Sequence, residues 1–181
     1  MTETAATTNK HNQDPFLAYL ADICAKPGTR ARLRRTLSAA DPATNADVLI
    51  LLGPFIPPDL DEGRLTVRAA IAGLYATYGA GNGQAWWSPG SELGASVRSG
   101  QLNDSRADRA MRSLLRPTTT ADRIGILRRV LPSCTDPSRL NWSQLRRDLE
   151  HLATNNTRRV AQRWARDFAQ QLNNQRKGDQ Q

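Results

Sequence analysis

The chain of 181 residues is long enough for one domain, or for two small helical subdomains that share a core. Its 25 basic residues against 17 acidic ones give a net charge of +8 and a pI of about 10.5, which favours a polyanionic partner. The polar N-terminus has no apolar secretory segment and no run is apolar enough to span a membrane, so we expect a cytoplasmic protein with no membrane partner.

Proline and capping residues mark the first elements of the chain. Residues 1–13 lack any periodic apolar pattern and are predicted to form a disordered arm. Asp14 and Pro15 are typical of a helix start, because Asp accepts an amide hydrogen bond and proline suits the first helical position. We expect that helix to end at residues 27–28, and Thr29 is predicted to cap a second helix.

Apolar residues at helical spacing predict further helices over residues 45–55 and 65–78, and the small residues of the second indicate close packing on another helix. Residues 79–90 form a predicted loop that holds Trp86 and Trp87. Either one of these rings packs onto the helical core, or one stacks on a base or a partner protein.

Five more helices are predicted in the second half of the chain. Ser91 is expected to cap the first. Residues 100–104 form a candidate hinge, and Asn103 or Asp104 is expected to start the second helix. Pro117 separates two amphipathic segments that carry arginines beside their apolar faces. Asn141 is expected to cap the next helix, and the last one covers residues 157–172.

Nearly every segment has the helical period and none alternates every two residues. The predicted fold class is therefore all-α, a bundle of about eight or nine helices that could divide into two small bundles near Gly100 or Pro117. The corresponding regions are a disordered arm at 1–13, an N-terminal helical bundle at 14–100, a C-terminal basic helical bundle at 101–172 and a frayed tail at 173–181.

The sequence offers no convincing catalytic centre. Its two histidines are His11, in the predicted arm, and His151, which lacks the three or four converging ligands that a metal site needs. Asp148 and Glu150 fall on different faces of a predicted helix and cannot act as an acid–base pair without help from elsewhere. A Walker-type loop and a GxGxxG motif are both missing. We therefore predict no catalytic residue, no metal site and no cofactor.

Arginine dominates the basic residues of this chain. Of the 25 basic residues 22 are arginine, and 15 of them lie between Arg98 and Arg166, where there are 6 acidic residues. A guanidinium is permanently charged and binds phosphate through a planar fork. Arginines on rigid helices with few aromatic neighbours suit contact with a nucleic-acid backbone and little base reading. Two other interpretations stay open: a solvated arginine-rich surface, and a structural subunit whose arginines meet acidic proteins.

Five segments occur in a recognisable order and spacing over residues 30–172. They are RARLRR at 30–35, LGASVRSGQLNDSRADRAMRSLLR at 93–116, ILRRVL at 126–131, LNWSQLRRDLEHL at 140–152 and RWARDFAQQL at 163–172. Together they resemble the CasB family, the small subunit of type I-E CRISPR Cascade surveillance complexes.

That resemblance implies an all-helical, non-catalytic subunit that is present in two copies. Its implied partners are a second copy of itself, the backbone and large subunits of Cascade, the guide RNA and the target DNA. The implied role is to support the guide RNA–target hybrid and to hold the displaced DNA strand of the R-loop during antiviral interference. The alternative is a stand-alone helical protein that binds polyanions or RNA without sequence specificity.

Eight arginines are the predicted nucleic-acid contacts, carried over from the resemblance by position. The first rank, which matches the paired or motif-opening arginines of the family, is Arg34, Arg35, Arg109, Arg128 and Arg129. The second rank is Arg30, Arg112 and Arg147. For each residue the alternative is an exposed helix arginine or a salt bridge, for example Arg112 with Asp108. Ala110 stands where family members often carry a second arginine beside the one matched by Arg109.

Overall fold

The computed structural model describes residues 14–37, 44–79, 87–116, 118–153 and 157–178, and these ranges are mainly helical. Within them there are nine α-helices and no strand, which confirms the predicted all-α class. The helices are α1 Pro15–Cys24, α2 Pro27–Thr36, α3 Ala46–Leu52, α4 Glu62–Tyr78, α5 Pro89–Arg98, α6 Asp104–Leu115, α7 Thr120–Val130, α8 Trp142–Ala153 and α9 Thr157–Gly178. None of these described helices is both long enough and apolar enough to cross a membrane.

Capping side chains define several helix starts where the sequence predicted them. Asp14 accepts a 3.0 Å hydrogen bond from an amide in the first turn of α1. Asn103 does the same ahead of α6 at 2.8 Å, and Asn141 ahead of α8 at 2.9 Å. Each cap satisfies an amide that no carbonyl of its own helix can reach.

Two predicted starts lie too far along the chain. α2 begins at Pro27 and not after Thr29, because a proline in the first position needs no amide partner and has its φ already set for a helix. Asp61 accepts a 2.9 Å hydrogen bond from the amide of Arg64, so α4 begins at Glu62 and not at the predicted residue 65. In both helices the residue that marks the start is a proline or an acid upstream of the first apolar residue, Pro27 in α2 and Asp61 before α4.

Three further boundaries differ from the predicted ones. α5 begins at Pro89 with Ser88 as its cap, so Ser91 lies inside the helix and the prediction that Ser91 caps it was wrong. α3 ends at Leu52, and the chain continues as a 3-10 turn over Gly53–Phe55. α9 extends to Gly178, past the predicted end at 172. The predicted arm at 1–13 lies outside the described residues, and the division into two bundles stays a prediction.

α4 forms the centre of the bundle. It contacts α1, α2, α7 and α8, and every residue from 69 to 74 is buried. Gly73 lets α2 approach closely, since a Cβ at that position would lie 2.6 Å from Cγ of Leu37. The small residues of this helix thus produce the close helix–helix contact that the sequence predicted.

α5 and α9 make the most extensive helix pair in the fold, and two glycines of α5 set their separation. A Cβ at Gly90 would lie 2.0 Å from the carbonyl oxygen of Trp164, and one at Gly94 would lie 2.6 Å from Cβ of Gln171. The two glycines are four residues apart and therefore share one helix face. Residues 101–172 are thus in contact with the predicted N-terminal region through this pair.

The Gly90→Ala variant is expected to unfold more readily than the wild type. The added methyl meets backbone of α9 and not a movable side chain, so the two helices must separate, at a cost of about 2–3 kcal/mol in the free energy of unfolding. Urea unfolding followed by circular dichroism measures this change. Gly28→Ala is the matched control, since a Cβ there meets nothing within 4 Å; equal losses in the two variants would contradict the packing argument.

Trp87 belongs to the core. Its side chain is 2% exposed, its Nε1 donates a 2.8 Å hydrogen bond to the carboxylate of buried Glu92, and the guanidinium of Arg139 lies 3.8 Å over its ring. The same carboxylate accepts a 2.8 Å bond from the amide of Asp136, so it joins α5 to the segment before α8. Of the two interpretations of the tryptophan pair, core packing is confirmed for Trp87, while Trp86 lies outside the described residues.

Candidate nucleic-acid interface

α6 presents a stripe of arginines to solvent. Arg109 and Arg112 are exposed one turn apart on α6, and the exposed Arg116 directly follows the last residue of the helix, four positions after Arg112. The opposite side is apolar and buried, and its residues are Ala107, Met111 and Leu114. Because the apolar side fixes the rotation of α6 against the core, the direction of the arginines is fixed as well.

The two predicted contacts on α6 differ in their surroundings. The Nε of Arg109 reaches only the Ser105 carbonyl of its own helix, at 3.5 Å. Arg112 donates a 2.7 Å hydrogen bond to Asp108, which raises the pKa of its guanidinium, so the salt bridge named as the alternative for Arg112 is present. The pair is 78% and 50% exposed, and such surface pairs are weak and screened by salt. Arg109 is therefore the better candidate contact.

The two predicted contacts on α7 point in different directions. Arg129 is exposed and Arg128 is half-buried, since consecutive helical residues are separated by about 100° around the axis. Neither side chain makes a hydrogen bond or an ion pair within the described ranges, and both lie in the last turn of α7. Only Arg129 faces α6, across a shallow groove of about 340 Å³ between the two helices.

Arginines of α2 hold the end of α4. The Nε atoms of Arg30 and Arg34 donate hydrogen bonds of 2.8 and 3.0 Å to the carbonyl oxygen of Ala76, in the last turn of α4. That carbonyl has no amide of its own helix to bind, and its partial negative charge favours a cation. Arg34 remains exposed and Arg30 is half-buried. Both predicted contacts therefore have a capping role in the fold.

Arg35 and Arg147 complete the predicted set. Arg35 is exposed at the end of α2. The hydrogen bond from Arg32 lowers the pKa of Asp47 on α3, and the charge of Arg35 adds to that effect. Arg147 is exposed on α8. Its neighbour Arg146 is different, because it bonds Asp14 at 2.9 Å and Glu150 at 2.8 Å and joins α1 to α8.

The eight predicted arginines thus fall into three groups. Arg30, Arg34 and Arg35 are together on α2, whose main contacts are with α1, α3 and α4. The α6–α7 pair, whose helices contact each other, carries Arg109, Arg112, Arg128 and Arg129. Arg147 is by itself on α8. The α6–α7 pair carries the largest group, and it is the candidate interface.

A family model described as CRISPR-associated protein Cse2 matches residues 29–168, more than half of the chain. The chain belongs to the Cse2 family. Its fold is similar to the crystal structure of M. ruber CasB, with a TM-score of 0.73 and 22% identity, covering 90% of this chain and 95% of that chain. None of the curated proteins is significantly similar in sequence.

The Cse2 assignment confirms the resemblance to the CasB family. Membership of this family makes the chain a CRISPR-associated protein and a subunit of the Cascade complex. In the described part of this Cse2 protein, no group of three or more His, Cys, Asp or Glu residues could hold a metal ion. The eight arginines remain predictions as nucleic-acid contacts.

One arginine has a role that was not predicted from the sequence. Arg123 is only 2% exposed, and it donates hydrogen bonds to the carbonyl oxygens of Leu114 at 3.3 Å, Arg116 at 3.0 Å and Thr118 at 2.8 Å. Burial lowers the pKa of its guanidinium. This side chain fixes the connection between α6 and α7, and so the relative position of their surface arginines. A signal in the sequence was its place one residue before Ile124 and four before Leu127, on the apolar side of α7.

Proposed function

We propose that this Cse2-family protein is a non-catalytic, strand-holding subunit of the type I-E Cascade complex. It supports the guide RNA–target hybrid and holds the displaced DNA strand of the R-loop during antiviral interference. Its partners are a second copy of itself, the backbone and large subunits, the guide RNA and the target DNA.

The observation that carries the proposal is the set of exposed guanidiniums on α6 and α7. Arg109, Arg116 and Arg129 have no ion-pair partner in the described ranges, and they project from helices whose apolar sides are fixed in the core. Arginines on a rigid helix lose less conformational entropy when they bind phosphate than arginines on a flexible tail, because the backbone is already ordered. Such a surface grips a sugar–phosphate backbone and reads little sequence, which suits a strand whose sequence changes with every target.

Reconstitution tests this function. We expect the chain to co-purify with the backbone and large subunits and a guide RNA, and to reduce permanganate reactivity of thymines in the displaced strand when a matched target is added. The matched control is the same particle assembled without this chain. A chain that binds RNA or DNA alone but never enters the particle would instead be a stand-alone polyanion-binding protein, and the proposal would be rejected.

A further inference from the structure

The groove between α6 and α7 lies beside the arginine stripe of α6 and shares Arg116 with it. It has a volume of about 340 Å³. Its walls include Ser113 and Arg116 from the α6 side, Thr118 from the connection, and Gly125 and Arg129 from α7. The volume is in the range of small-ligand sites. We infer that this groove holds one unpaired nucleotide of a bound single strand, an inference that rests on the proposed function.

The charge and hydrogen-bonding capacity of the groove suit a nucleotide. Arg116 and Arg129 belong to different helices, line the groove together, and make no side-chain hydrogen bond or ion pair within the described ranges. The N–H groups of two guanidiniums can donate hydrogen bonds to phosphate oxygens and to the acceptor atoms of base edges. The guanidinium plane can also stack on a base. Ser113 and Thr118 add hydroxyl groups.

One acid also lines the groove, and its carboxylate is already engaged. Asp122 accepts hydrogen bonds from the amide of Thr119 at 3.2 Å and from its hydroxyl at 2.8 Å, in the capping box that begins α7. Its charge is therefore held at the N-terminal end of the helix, where the helix dipole favours a negative group. The two arginines still leave the groove with a positive balance.

Gly125 keeps the groove open. It lies in the middle of α7, where glycine lowers helix stability relative to alanine, and a Cβ at this position would meet nothing within 4 Å. Packing therefore does not require a glycine here, in contrast to Gly90 and Gly94. The position of Gly125 in the groove wall instead leaves space that a long side chain such as leucine would occupy.

The buried guanidinium of Arg123 fixes the wall of the groove at the α6–α7 connection. Arg123 holds the carbonyl oxygens of Arg116 and Thr118, two groove residues, at 3.0 and 2.8 Å. The groove is thus formed before any ligand arrives, which reduces the entropy cost of binding. A base that is paired inside a duplex cannot enter a groove of this size without being turned out of the helix. The predicted ligand is therefore single-stranded and not duplex.

The test uses a substitution that fills the groove with an apolar side chain and changes no charge. Fluorescence anisotropy with the full chain would compare Gly125→Leu with Gly125→Ala, using an oligothymidylate of about 20 nucleotides and a duplex of the same length. We expect Gly125→Leu to bind the single strand about five- to tenfold more weakly and the duplex within about twofold of wild type. Gly125→Ala, which adds only a methyl group, should bind both probes within about twofold.

A second variant keeps the test decisive if Gly125→Leu does not fold. Ala121→Leu fills the same groove from the exposed first turn of α7 and should reproduce the selective loss if Gly125→Leu does not fold. Equal single-strand affinity in a folded groove-filling variant would overturn the inference. That result would leave the strand-holding function intact if replacing Arg109 and Arg128, which do not line the groove, with alanine still lowered single-strand affinity. Unchanged affinity in a folded variant with alanine at Arg109, Arg116, Arg128 and Arg129 would reject the proposed function itself.

Discussion

Replacing Arg109, Arg116, Arg128 and Arg129 together with alanine is expected to weaken binding of single-stranded DNA about a hundredfold at low salt. Each arginine–phosphate pair that the variant cannot form accounts for about 0.7 kcal/mol, which is typical of exposed charge pairs. The slope of log affinity against log salt concentration should also become less negative by about 0.7 for each phosphate that is no longer neutralised, or by about three in total. Anisotropy titrations at several salt concentrations measure both quantities.

The four side chains can be removed with little effect on the fold. None of them makes an ion pair within the described part of the chain, so no buried carboxylate is left without its partner. Helicity and melting temperature are expected to stay close to those of the wild type. Arg30 and Arg34 are left unchanged in this variant because both cap the Ala76 carbonyl, and their loss would mix binding with stability.

Lysine at the same four positions is the control for this variant. Lysine retains the charge but lacks the planar fork, so most of the salt slope should remain while affinity falls by a smaller factor. If the alanine variant is folded and its salt slope equals that of the wild type, these residues do not bind phosphate. A lysine variant as weak as the alanine variant would indicate recognition by fork geometry rather than by charge.

Local signals were sufficient to predict much of the fold. Asp14, Asn103 and Asn141 each precede an apolar stripe of helical period, and each caps a helix in the structure. These signals work because a cap and the stripe after it are determined within a few residues of chain. Ser88 was missed because Pro89 and Gly90 suggested a loop, whereas Gly90 is required for close contact with Trp164 of α9, a residue far away in the sequence.

The candidate interface was only partly predictable, because an arginine looks the same in sequence whether it is free or buried. Arg146 and Arg147 are adjacent, and neither belongs to the buried side of α8. Arg146 binds Asp14, which is 132 residues away, while Arg147 is exposed on α8. Similarly, the shared partner of Arg30 and Arg34 is a carbonyl of α4. Partners of this kind are set by tertiary packing, which periodicity does not describe.

Arg123, whose three partners lie five to nine residues away at the α6–α7 connection, is the most informative position for a stability test. Arg123→Met keeps most of the aliphatic volume but removes the donors that three carbonyl oxygens use, those of Leu114, Arg116 and Thr118. At about 1 kcal/mol for each hydrogen bond, the free energy of unfolding is expected to fall by about 3 kcal/mol. For a chain of this length the melting temperature should fall by about 6–12 °C.

Two comparisons separate this role from a general effect of losing charge. Arg128→Met changes the same residue type on the same helix, but Arg128 has no hydrogen-bond partner in the described ranges. The free energy of unfolding of this variant should therefore differ from that of the wild type by about 0.5 kcal/mol or less. Arg123→Lys should recover only part of the loss, because one ammonium cannot span three carbonyls held by a fork. If Arg123→Met and Arg128→Met melt at the same temperature, the α6–α7 connection does not depend on Arg123. The fixed spacing of the surface arginines would then need another cause.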